Sequence, residues 1–247
     1  MNIKQYLDST YLKTAEQAGL SEKENTKVVE GFIQEAIDEG FKLIMIRPDK
    51  VSLAHQMISK AKSDVLIGTV IDFPDGTSDF DVKLQEAQEA INNSVDELDY
   101  VINYQAFKRG ETNLVKNEII ECTKIGLLNK KAVKFIIEVA ALTDQQIIQL
   151  SALIKNTIIS NFKENDYQNV FVKSSTGFYK TEDDLPNGAT VHTIKMMLEN
   201  SCPLPVKAAG GVRTIDEAME MIKLGVKRIG TSSAKAISKG EVSNDNY

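Results

Sequence analysis

Short apolar, β-branched runs alternate along the chain with longer stretches in which apolar residues recur every three or four positions. The runs at 6–12, 43–47, 65–73, 97–103, 132–139, 169–175, 204–208 and 228–231 predict eight strands. The longer stretches, at 25–39, 79–92, 112–128, 143–160, 190–200 and 215–224, predict amphipathic helices between them. Thr143 and Thr214 stand where helix caps are needed, and Glu217 three residues after Thr214 completes a capping box. Strand centres such as Val65-Leu66-Ile67 and Phe135-Ile136-Ile137 are continuously apolar, as parallel strands buried on both faces require. Eight such units predict an α/β chain folded as a (β/α)8 TIM barrel. An open doubly wound sheet is the alternative, and the first strand turn lacks the G-x-G-x-x-G loop expected of it. No Pro- or Gly-rich linker divides the 247 residues, so one domain over 1–247 is expected, with a polar tail at 239–247.

Composition narrows the partners. The chain is 42% hydrophobic and 26% charged, with net charge −6 and a pI near 5.2. Neither a nucleic-acid surface nor an anionic membrane is an expected partner. No 18-residue apolar run occurs and residues 1–20 lack the apolar block of a signal peptide, so a soluble cytoplasmic protein is expected. Cys122 and Cys202 are too few for a disulfide framework and read as buried thiols. His55 and His192 are the only histidines, and each reads as a helix-surface residue. No metal and no cofactor is expected.

The chemistry concentrates on two strands. Phe171-Val172-Lys173-Ser174-Ser175-Thr176-Gly177 and Pro205-Val206-Lys207-Ala208-Ala209-Gly210-Gly211 each carry one lysine on an apolar run that enters a small-residue turn. A buried ammonium must pair or lose its proton. On neighbouring parallel strands the two ammonium groups could approach within roughly 5 Å. Repulsion there of about 3 kcal/mol corresponds to roughly two pKa units. A neutral lysine beside a second cation is a Schiff-base nucleophile. The plainer reading has both lysines reaching solvent from strand ends. Other polar groups at strand ends are Asp8, Thr10, Thr69, Asp72, Asn103 and Glu138. Asp99 alternates with Val101 and faces either the barrel interior or a helix N-terminus. Gly177, Gly210-Gly211 and Gly230-Thr231-Ser232-Ser233 follow three consecutive strands, and they read either as tight turns or as backbone cradles for a phosphate.

With these residues in view, the chain resembles the 2-deoxy-D-ribose-5-phosphate aldolase family of class I lysine aldolases. Residues 171–178 are similar to the family's F-V-K-T-S-T-G-F, and 206–214 to V-K-A-S-G-G-I-R-T. Residues 96–103 are similar to D-E-I-D-M-V-I-N, 69–74 to T-V-I-G-F-P, and 7–12 to I-D-H-T-L-L. Ser9, Ser174 and Met45 depart from residues common in the family, and Arg47 and Asp72 are unusual near the rim. The resemblance implies a (β/α)8 barrel that reversibly cleaves 2-deoxyribose 5-phosphate to acetaldehyde and glyceraldehyde 3-phosphate. By it Lys173 would form the Schiff base, with Asp99 and Lys207 assisting proton transfer. Thr176, Gly177, Gly210, Gly211, Gly230, Ser232 and Ser233 would hold the phosphate.

Some family members end in a tyrosine that enters the site, so Tyr247 is a candidate fourth catalytic residue; a disordered end is the alternative. The expected partners are a phosphorylated sugar and aldehydes. Family members occur as monomers, dimers and larger assemblies, which leaves a homodimer among the expected states. Another Schiff-base aldolase on the same barrel, or a non-catalytic phosphosugar-binding barrel, would share much of this pattern.

Overall fold

A computed structural model describes residues 2–182 and 185–241. Its elements run β1 (Leu7–Thr10), α1 (Ala15–Ala18), α2 (Glu22–Glu39), β2 (Leu43–Ile46), α3 (Val51–Ala61), β3 (Leu66–Ile71), α4 (Phe80–Asn92), β4 (Glu97–Val101) and α5 (Tyr104–Lys108). They continue through α6 (Thr112–Leu128), β5 (Ala132–Ile136), α7 (Asp144–Asn161), β6 (Val170–Lys173), α8 (Val191–Ser201), β7 (Val206–Ala209), α9 (Ile215–Leu224), β8 (Arg228–Thr231) and α10 (Ala234–Lys239). Each strand pairs in parallel with the next, and β1 closes on β8. The eight expected strands are all present, in a closed (β/α)8 barrel.

Local chemistry sets the helix ends. Thr143 and Thr214 cap α7 and α9, each within a capping box completed by Gln146 and Glu217. A similar box, Ser21 with Glu24, starts α2 three residues earlier than its apolar period suggests. Helix α3 was not apparent in the sequence. It begins without a side-chain cap, after a turn at Pro48, and ends on Lys62 in the left-handed conformation rather than on glycine. The third strand also stops earlier than its apolar run, because Asp72 turns left-handed at φ 53°.

The apolar core lies mainly between strands and helices, where Ile33, Ile44, Val101, Phe135, Ile154 and Met197 are buried. Inside the barrel a smaller cluster of Leu12, Leu43, Met45 and Val70 fills the β1–β3 side. Gly68 makes room for it, since a Cβ there would stand 2.6 Å from Met45 Cε and 2.9 Å from Leu43 Cδ2. The opposite side of the barrel is charged.

One expectation changes. Cys122 is buried, but Cys202 is exposed, because it lies just past the end of α8 rather than on its packed face. His55 and His192 lie on exposed helix faces, as expected. Among the described residues no helix is long and apolar enough to cross a membrane.

Candidate active site

Seven charged side chains from six strands meet inside the barrel, none more than 5% exposed: Asp8, Glu97, Asp99, Lys134, Lys173, Lys207 and Arg228. Contacts between non-adjacent strands, such as Lys173 of β6 with Asp99 of β4, are possible only across the barrel interior. Asp99 is thus the inward carboxylate, and neither Lys173 nor Lys207 reaches solvent.

Six of the seven form a closed ring of alternating charge. Arg228 Nη1 lies 2.8 Å from Glu97 Oε1, Glu97 Oε2 lies 2.5 Å from Lys134 Nζ, and Lys134 Nζ lies 2.6 Å from Asp99 Oδ1. The other half runs from Asp99 Oδ2 to Lys207 Nζ at 2.9 Å, on to Asp8 Oδ2 at 2.6 Å, and back to Arg228 through Asp8 Oδ1 at 2.5 Å. Three cations and three anions balance, as burial demands. Lys173 hangs off this ring: among the described residues its Nζ pairs with Asp99 Oδ2 alone, at 3.0 Å, an oxygen it shares with Lys207.

That difference leaves Lys173 the less firmly paired amine. Lys134 and Lys207 each touch two carboxylates, and Lys173 touches one. Burial lowers the Lys173 pKa to about 8, the Lys207 and Lys134 ammoniums push the same way, and Asp99 opposes them only in part. Burial alone would raise Asp99, but the surrounding ammoniums of Lys134, Lys173 and Lys207 hold it well below the usual carboxylate value. Glu97 is likewise held at about 2 by Lys134 and Arg228 against the cost of its burial.

Above Lys173 a cleft of about 590 Å³, its open mouth included, lies at the C-terminal ends of the strands. Strands β6 and β7 meet there in register, Lys173 opposite Lys207. Thr176, Gly177, Gly210, Gly211, Gly230 and Ser232 line the cleft with Lys173. Gly210 and Gly211 both take positive φ, 81° and 86°, a left-handed turn that glycine adopts without strain. Gly230 allows close approach of the ring, because a Cβ there would stand 3.1 Å from Lys207 Cε. Ser233 is 4% exposed, and its N–H donates to Thr231 Oγ1 at 3.0 Å. Tyr247 lies outside the described residues.

Sequence reasoning missed Lys134, Glu97 and Arg228 as parts of the site, and Asn187 and Arg213 as cleft residues. Lys134 did carry a signal, since Ala132-Val133-Lys134-Phe135-Ile136 is a third apolar strand with a single lysine. Asn187 and Arg213 come from loops, where periodicity gives no guide. Among the described residues no group of three or more His, Cys, Asp or Glu is arranged to hold a metal ion.

Similarity to known proteins points the same way. The chain is 37% identical over 241 residues to the deoxyribose-phosphate aldolase of Thermococcus gammatolerans, covering 97% of this chain and 96% of the relative. It is 38% identical over 248 residues to that of Lactococcus lactis subsp. lactis, covering all of both. The crystal structure of a tetrameric deoxyribose phosphate aldolase from Aeropyrum pernix superposes with a TM-score of 0.76 at 26% identity, covering 96% of this chain and 89% of that one. Residues 9–239 match the family model for DeoC/LacD family aldolases, and with full-length relatives of this kind the chain belongs to that family.

Proposed function

We propose that the protein cleaves 2-deoxy-D-ribose 5-phosphate reversibly to acetaldehyde and glyceraldehyde 3-phosphate through a Schiff base on Lys173. The observation that carries this reading is the pendant position of Lys173 on a balanced ring, facing the cleft. In cleavage the neutral amine of Lys173 adds to the C1 carbonyl of the open-chain sugar, and loss of water gives a protonated imine. The C3 hydroxyl gives up its proton, the C2–C3 bond breaks, and its electron pair moves through C2 to the imine nitrogen. Glyceraldehyde 3-phosphate leaves. The remaining enamine takes a proton at C2, and water releases acetaldehyde and restores the amine.

Asp99 and Lys207 are the groups we assign to these proton transfers, because they share one oxygen contact beside Lys173 Nζ. The phosphate is assigned to the amides of Gly177, Gly210 and Gly211 with Thr176, Gly230 and Ser232, which anchor the non-reacting end and convert its binding into orientation at C1. Tyr247 is proposed to join the relay at C2.

The test is mass spectrometry after treatment with acetaldehyde and borohydride. An ethyl adduct on Lys173 is expected, absent in Lys173→Arg together with cleavage, because a guanidinium stays protonated. A trapped adduct elsewhere with full turnover in Lys173→Arg would overturn the assignment. Failure of any lysine to trap would favour a non-catalytic phosphosugar-binding barrel instead.

A further inference from the structure

Directly after β5, Glu138 takes a left-handed backbone, φ 53°, and buries its side chain to 1% exposure. A residue other than glycine adopts that conformation at a cost, so its surroundings must hold it there. The carboxyl meets the loop between β6 and α8. Thr176 donates to Oε2 from both its N–H, at 3.1 Å, and its hydroxyl. Ser175 Oγ lies 2.8 Å from Oε1.

Ser175 Oγ has more claims on its proton than it can meet. The same oxygen lies 2.6 Å from the Asn187 carbonyl oxygen and accepts the Gly177 N–H at 2.9 Å. A hydroxyl has one proton to donate. With Glu138 ionised, both Oε1 and the Asn187 carbonyl need that proton, and one contact becomes lone pair against lone pair in a buried place. With Glu138 neutral, its own O–H donates from Oε1 to Ser175 Oγ, the Ser175 proton goes to Asn187, and every contact is satisfied.

We infer that Glu138 is a positioning residue that works as a neutral carboxylic acid, its proton closing the hydrogen-bond chain that fixes Ser175, Thr176, Gly177 and Asn187 at the cleft. The chain continues through the Asn187 side chain, which donates to the Gly177 carbonyl at 3.2 Å, and Asn187, Thr176 and Gly177 all line the cleft. Burial favours the neutral acid by raising the carboxyl above its ordinary value, against the hydrogen bonds it accepts. Among the described residues, Lys173 on β6 favours its ionised form, and Tyr104 on α5 lies close enough to feel its charge. A neutral Glu138 also spares Lys173 a second anion, which would strengthen its hold on its proton.

The inference rests on the phosphate placement proposed for the cleft, so its test has an arm that does not. Difference infrared spectra of wild type and Glu138→Gln at neutral pH should show the carbonyl stretch of a protonated carboxylic acid, lost in the variant. The glutamine amide can donate to Ser175 and accept from Thr176 as the neutral acid does. Glu138→Gln is therefore expected to keep KM for deoxyribose 5-phosphate within about twofold of wild type, while Glu138→Ala raises it tenfold or more and changes cleavage of unphosphorylated deoxyribose little. Absence of the infrared band, or Glu138→Gln as impaired as Glu138→Ala, would overturn the neutral acid. Equal losses on both substrates in Glu138→Ala would overturn the positioning role. Should wild type itself show no preference for the phosphorylated sugar, the phosphate placement fails and with it the positioning role, while the band still decides the proton on Glu138.

Discussion

Lys134 and Lys173 grip different oxygens of one carboxylate: Lys134 Nζ stands 2.6 Å from Asp99 Oδ1, and Lys173 Nζ stands 3.0 Å from Oδ2. Lys134 also holds Glu97, at 2.5 Å, whereas among the described residues Lys173 pairs with no second carboxylate. The two amines share a partner and differ in how firmly they keep a proton.

Lys134→Met should therefore make Lys173 more basic. Without that ammonium the site balances with Lys173 charged, so the pH profile of imine formation should move to alkaline pH by about one unit. Breaking a buried pair should also cost about 3–5 kcal/mol of stability, read by urea unfolding. An unmoved profile in a folded variant would contradict the role given to the ring.

Lys207→Leu removes a cation on the Oδ2 side and should shift the same profile, but with a further loss. Exchange of the acetaldehyde α-proton with deuterated water should slow at every pH, whereas in Lys134→Met it recovers at the alkaline plateau. Tyr247→Phe should slow exchange without moving the profile. NMR of exchange beside borohydride trapping separates the three variants.

Ser232 lines the cleft and is the place for the phosphate test. Ser232→Asp should raise KM for deoxyribose 5-phosphate at least tenfold by repelling the dianion, and leave cleavage of deoxyribose nearly unchanged. Steady-state kinetics on both substrates decides it.

Stability should rise with pH in two separate windows, one acidic and one alkaline. Glu97 and Asp99 have folded pKa values below their unfolded ones, so their contribution is present above about pH 4 and is lost as pH falls, for Glu97 through about 2. Lys173 is lowered to about 8 from an ordinary value of 10.5, so the unfolded chain binds the extra proton between these values and stability rises with pH across that window. The gain, on the order of 3 kcal/mol, should be absent from Lys173→Met in urea melts compared at pH 7.5 and 10.

The order of elements was legible because periodicity is a local property, and so was the lysine pair, since Lys173 and Lys207 interrupt apolar strands. The ring was not. It closes through Arg228 and Glu97, which reach Lys134 and Asp8 only once eight strands have curled into a barrel, and no spacing in the chain encodes that approach.

The balanced ring also governs the fate of the imine. A protonated imine on Lys173 returns a positive charge to a buried site whose other charges already cancel. The enamine carries none. Under the proposed chemistry the barrel is thus electrically matched to the species after carbon–carbon cleavage rather than to the one before it, and the charge surplus itself draws electrons toward nitrogen.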